Sequence, residues 1–255
     1  MSLLKKLSPF YTLALFYIIV SLILRVVLLF HPITQASFSG VDTLKIFTIG
    51  MLSDSLVFIV LSSLLWLYLL FISNSKYLQP TGYIVFGALG SLFLYVAFGN
   101  TILNEYGGAL PEIGIAFIGL KTLLFGLLLF LPKYRHTIRF WLFSFVIFLF
   151  VTLILQNAIS EFFFWNEFGV KYNFIAVNYL VYTNEVIGNI MQSYPVIPIF
   201  TTLFLFSGTI TFFIVKHSKN YIESIPTFTE KIKILGLYLV LLAFSLVTIP
   251  FLAAK

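Results

Sequence analysis

The chain has 255 residues, 60% of them hydrophobic and 9% charged, with a net charge of +6 and a mean hydropathy of +1.06. Soluble domains carry about 45–50% apolar and about 25% charged residues, so this composition excludes a water-soluble globule and implies an integral membrane protein. The absence of cysteine removes disulfides, thiolate metal sites and cysteine nucleophiles. With 31 Phe and 14 Tyr against 15 Gly, the helices are expected to pack through bulky side chains, without close GxxxG-type crossings as an organising device.

A hydrophobic run of about 20 residues crosses about 30 Å of hydrocarbon. On that measure the chain is predicted to be an all-α polytopic bundle with spans near 10–30, 44–72, 82–103, 111–131, 139–156, 196–215 and 232–252. The first span follows Lys5-Lys6 with no small-residue cleavage pattern and is read as a retained signal anchor. The second is longer than a crossing requires, so it tilts or its first turns lie in the interface. The fourth contains Lys121 and starts at Pro111, which suits the first turn of a helix; a re-entrant segment there would reduce the spans to six.

Basic residues in short loops stay in the cytoplasm. With the N-terminus inside, the inner segments hold Lys5, Lys6, Lys76, Lys133, Arg135, Arg139, Lys216, Lys219, Lys231 and Lys233, while the outer ones hold Lys45, Lys171 and Lys255. This bias requires seven crossings, an outer 161–194 segment and an outward C-terminus. No internal repeat is visible, and no pair of Gly/Pro-broken spans occupies corresponding positions as in inverted-repeat transporters.

Away from the span ends, three charged residues fall within predicted spans. Arg25 near the outer end of the first span and Asp54 in the outer half of the second lie at matching depth, and unpaired charges in hydrocarbon are costly, so the two are predicted to form an ion pair. The pair either fixes helix rotation or belongs to a proton or ion pathway, for which no further acid lies in line with Asp54. Lys121 has Glu105, Glu112 and Asn100 as candidate partners, with packing and snorkelling weighed against ligand binding. His31, His136 and His217 fall at span ends on different sides, so no metal site is expected from this chain, and GxSxG, P-loop and Rossmann patterns are absent.

The segment EFFFWNEFGVKYNFIAVNYLVYTNEVIGNIMQSY, residues 161–194, is the longest one that is neither span nor simple loop. At 100° per residue, Asn178, Tyr182, Glu185, Asn189 and Gln192 share one stripe while Tyr179, Leu180, Val186, Ile187, Ile190, Met191 and Tyr194 fill the opposite face. An interfacial amphipathic helix that stops at Pro195 is therefore expected, preceded by the aromatic belt EFFFWNEF at the mouth of the fifth span. It is either a plain anchor or a polar surface for lipid headgroups or a docked domain, formed by Glu161, Trp165, Glu167, Lys171, Asn178, Tyr182, Glu185 and Asn189.

The run SEFFFWNEFGVKYNFIAVNYLVYTNEVIGNIMQSYP, preceded by QNA and with HPITQ after the first span, resembles the N-terminal membrane region of the lipoteichoic-acid-synthase-like phosphoglycerol transferases of the sulfatase and alkaline phosphatase superfamily. The resemblance spans essentially the whole chain, although the family carries an acid where this chain has Asn178. It implies a bacterial cytoplasmic membrane protein whose multi-pass region precedes a large extracytoplasmic catalytic domain. That domain uses a Thr nucleophile and a divalent metal, commonly manganese, and moves glycerol phosphate from a lipid donor. No nucleophile or metal ligand of the family maps onto these 255 residues. The expectation is a membrane half without its catalytic domain, whether truncated, split or freestanding. Its partners would be membrane lipids and a sulfatase-type domain in cis or in trans, with no nucleic acid and no cofactor of its own. The alternatives are a small-solute transporter or channel using Arg25, Asp54 and Lys121, and a freestanding scaffold.

Overall fold

The computed structural model describes residues 8–34, 38–72, 74–99, 101–105, 108–171, 188, 190–218 and 228–253. Among these the secondary structure is helical, with no strand. The helices are α1 (Ser8–Leu29), α2 (Gly40–Leu61), α3 (Ser63–Phe71), α4 (Thr81–Phe98), α5 (Ile102–Glu105), α6 (Leu110–Phe130), α7 (Pro132–Phe168), α8 (Val196–His217) and α9 (Phe228–Ala253), with a 3-10 turn at Asn74–Tyr77. Seven of them, all but α3 and α5, are long and apolar enough to cross a membrane. Helices dominate because a span in hydrocarbon must satisfy every backbone N–H and C=O within itself.

Several boundaries differ from those expected. The second span starts at Gly40, where Ser39 and Asp42 form a capping box: the Ser39 hydroxyl accepts from the Asp42 N–H, and the Ser39 N–H donates to the Asp42 carboxylate. It is then interrupted at Ser62, where the Ile59 carbonyl accepts from the Ser62 hydroxyl at 3.1 Å and from the Tyr238 hydroxyl of α9 at 2.8 Å. The third ends at Phe98, short of residue 103, with α5 as a separate turn. Helix α6 runs 21 residues behind Pro111, the length of a crossing rather than of a re-entrant turn.

The largest difference is α7, which has 37 residues where 139–156 was expected. At 1.5 Å per residue it is about 55 Å long, well beyond the ~30 Å hydrocarbon core. Residues 161–168, expected as an aromatic belt ahead of a separate helix, are its last turns. Gly169 ends it at φ 66°, in the left-handed region, and donates its N–H to the Trp165 carbonyl at 2.8 Å. Of the expected interfacial helix, residues 188 and 190–193 are helical; Asn178, Tyr182, Glu185 and Asn189 lie outside the described residues.

The chain forms two compact units, residues 1–71 with 144–255, and residues 72–143. In the first, α2 packs on α1 and α9, and α8 packs on α1. Its core is aromatic: Phe10 lies against Phe58 and Trp66 with ring centroids 5.4 and 5.2 Å apart, and Trp66 lies against Tyr238 at 4.7 Å. In the second, α4 packs along α6. Here bulky rings of α4 seat on two glycines of α6. Gly119 and Gly126 leave the space in which the Phe93 and Phe86 rings sit, and the Thr122 hydroxyl reaches the Leu89 carbonyl at 3.3 Å.

Candidate functional site

In the first unit, α1 and α2 meet through two stripes of positions spaced four residues apart, three on α1 and four on α2, each stripe on one helix face. Tyr17, Ser21 and Arg25 on α1 oppose Phe58, Asp54, Gly50 and Ile46 on α2 in antiparallel register. Tyr17 and Phe58 rings are 5.3 Å apart. The Ser21 hydroxyl donates to Asp54 Oδ2, and Arg25 Nη2 donates to the same oxygen at 2.5 Å. Arg25 Nη1 reaches the Ile46 carbonyl at 3.2 Å. Any side chain at Gly50 would overlap the guanidinium, so this glycine leaves the space in which Arg25 lies flat on α2. The structure thus brings Arg25 and Asp54 together. Arg25 is 9% exposed and its Nε has no partner among the described residues.

The same unit gathers the polar residues at the C-terminal end of α7. Trp165 Nε1 donates to the Thr34 hydroxyl at 3.2 Å, and the His31 ring stands edge-on to Phe162 at 5.6 Å, so the turn after α1 lies beside the last turns of α7. Gly169 sits against Ile33. Its left-handed conformation reverses the chain, and Lys171 returns to pair with Glu161 at 3.3 Å. The Tyr194 hydroxyl donates to Glu167 at 2.5 Å, and its ring lies 4.4 Å from Phe163. That hydrogen bond, with some burial, raises the Tyr194 pKa above its ordinary value of 10.0.

Among the expected surface residues, Glu161, Trp165, Glu167 and Lys171 therefore gather around one helix end. Thr34, Ser21 and Gly50 are not among the expected residues, and Tyr194 is expected only on the apolar face of the interfacial helix. Ser21 has a readable signal, one turn from Arg25, and so does Gly169, which follows a helical run as a stop residue does.

Lys121 behaves differently. It is exposed in the middle of α6, and its ammonium lies 5.9 Å from the Phe117 ring centroid, toward the helix N-terminus as helical side chains point. Neither Glu105 nor Glu112 pairs with it, because α5 and the start of α6 lie more than two helical turns back along the chain; Asn100 lies outside the described residues.

At the other end of α6, Arg135 Nε donates to the Leu128 carbonyl at 2.6 Å and Nη2 to that of Leu129 at 3.2 Å, with the guanidinium 5.1 Å from the Tyr77 ring centroid. These are carbonyls of the last turn of α6, which have no partner inside their own helix. Arg139, buried, donates to the Ile72 carbonyl.

No group of three His, Asp or Glu among the described residues could hold a metal ion. The polar end of the first unit pairs charges and offers hydrogen-bonding groups beside aromatic rings. Among the described residues it brings together charged, amphipathic and aromatic side chains and sets no nucleophile beside a base. In comparisons with known proteins, no family model matches the chain, and no curated protein or solved structure is similar to it.

Proposed function

We propose that the chain is the membrane-anchoring and substrate-positioning module of an extracytoplasmic phosphoglycerol-transferase or sulfatase-type enzyme that acts on lipid-linked phosphate groups. The observation that carries this reading is the C-terminal end of α7. The helix exceeds the hydrocarbon thickness by about 25 Å, and its last turns carry Glu161, Trp165 and Glu167. Those residues are bound to Thr34, Lys171 and Tyr194, which makes a braced cluster of polar and aromatic groups suited to a platform at headgroup level. The likeness of the 160–195 run to the membrane region of lipoteichoic-acid-synthase-like enzymes supports the substrate class.

The distribution of Lys and Arg supports an N-terminus inside and a platform outside, and the resemblance supports a bacterial cytoplasmic membrane. The reaction would take place on a sulfatase-type domain joined in cis or docked in trans. A manganese-type divalent ion would belong to that domain. This chain would hold the lipid donor beside it.

Transfer of a labelled phospholipid headgroup in membrane vesicles of the source organism tests the reading. Deleting the gene should lower transfer and the wild-type chain should restore it. A chain with Glu161→Gln and Lys171→Gln, present at equal level in the membrane, should restore it only in part. Transfer undiminished by the deletion would overturn the proposal.

A further inference from the structure

The second unit contains an open groove of about 580 Å³ between α4 and α6. Its walls are apolar: Phe86, Phe93, Leu123, Leu127 and Phe130 line it, and the two phenylalanine rings on α4 are seated against α6 where Gly126 and Gly119 leave room. Along α6 the lining runs from Gly119 to Leu131. That is a rise of about 18 Å, close to one leaflet of a hydrocarbon core about 30 Å thick. Neither Arg25, Asp54 nor Lys121 lines the groove.

Charge is distributed unevenly about it. Leu131 at its end is followed directly by Pro132 and the first turn of α7, which contains Lys133, Tyr134, Arg135 and His136 and no acid. Lys133 and Tyr134 are exposed, with the ammonium 5.8 Å from the tyrosine ring centroid. The Arg135 hydrogen bonds go to neutral carbonyls, so its charge is not cancelled by a carboxylate. The only acids in residues 72–143 are Glu105 and Glu112, which belong to α5 and the first turn of α6, at the opposite end.

We propose that this groove binds one anionic phospholipid, with an acyl chain along the α4–α6 groove and its phosphate against the Lys133–Arg135 end. An apolar channel of leaflet length that terminates in uncancelled positive charge matches a lipid tail joined to an anionic head. A zwitterionic lipid would gain less from it. A second copy docked side by side would bring the same positive end into it, at a repulsive cost. This site is separate from the α7 platform and does not depend on the donor role proposed for that platform.

Native mass spectrometry of the full chain in detergent, with phosphatidylglycerol and phosphatidylcholine of matched acyl chains, provides the test. Phosphatidylglycerol should be retained preferentially. Lys133→Gln should weaken its retention by about fivefold, equivalent to the roughly 1 kcal/mol that one basic side chain contributes near an anionic lipid, and leave phosphatidylcholine unchanged. Leu123→Trp, which fills the groove from its exposed wall, should lower retention of both lipids with unchanged thermal unfolding in lipid-free detergent. Equal retention of the two lipids by the wild-type chain, or retention unaffected by Lys133→Gln, would overturn the proposal. So would a disulfide-linked dimer of Leu123→Cys, in this otherwise cysteine-free chain, formed at full yield in the presence of phosphatidylglycerol.

Discussion

Arg25 in the first unit and Arg135 in the second are both held within helical packing, yet their partners differ in kind. Arg25 lies flat on α2 in the space left by Gly50 and is neutralised by Asp54, which also accepts from Ser21. Arg135 keeps its charge and spends its donors on the Leu128 and Leu129 carbonyls, under which Tyr77 lies. The first arrangement removes net charge from inside a helix pair. The second closes a helix end and leaves a positive field in place. The same side chain thus fixes two helices against each other in one region and forms an electrostatic surface in the other.

If this contrast holds, removing Arg25 alone should be the most damaging change. Arg25→Leu strands Asp54 between α1 and α2 and should cost about 3–5 kcal/mol, read as thermal unfolding in detergent. Adding Asp54→Leu should recover most of that loss; additive losses would show that the two do not act as a pair.

Arg135→Leu should cost less, about 1.5–3 kcal/mol, because it deletes charged hydrogen bonds without stranding a charge. Arg135→Lys should fail to rescue it, since an ammonium cannot span two carbonyls as the guanidinium fork does. No substitution of an acid is expected to compensate in this region. Gly50→Ala should displace the guanidinium for about 1–3 kcal/mol, the cost of overpacking a filled site. It should do so only while Arg25 is present, so in an Arg25→Leu, Asp54→Leu background the same alanine should be nearly neutral.

The smallest effect concerns the Tyr194–Glu167 bond on the α7 platform. A tyrosine whose folded pKa is raised above 10.0 gives stability that is fully present below pH 10 and lost as pH rises through the folded value. Phenolate absorbance should therefore develop at higher pH for Tyr194 in the wild-type chain than in Glu167→Gln, with Tyr194→Phe identifying the signal. An unchanged titration would mean that the bond is not formed in the membrane.

Seven crossings were legible because hydrocarbon thickness sets a length that composition must meet, and α1, α6, α8 and α9 begin and end within a few residues of the sequence estimate. The Arg25–Asp54 contact was legible for a related reason: in a bilayer a charge has few partners, and matching depth selects among them. The carbonyl partners of Arg135 and Arg139 were not legible, since every residue carries a carbonyl and only the tertiary fold shows which are left open. Helix α7 extends beyond the hydrophobic run at 139–156 because helical hydrogen bonding continues regardless of polarity past Gln156-Asn157, until Gly169 turns the chain. The glycine stop was visible in FWNEFG, but aromatic density drew attention to an interfacial belt. Gly50 gave no signal at all, because its role depends on a side chain from another helix.

Under the proposed function, the platform at the C-terminal end of α7 should lie on the opposite membrane face from the basic N-terminal end of the same helix. Because the chain has no native cysteine, Phe168→Cys and Lys133→Cys can be compared by reaction with a membrane-impermeant maleimide in intact cells. Rapid labelling of Phe168→Cys, with Lys133→Cys labelled only after permeabilisation, is the result predicted. Labelling of Lys133→Cys in intact cells with Phe168→Cys protected would contradict it.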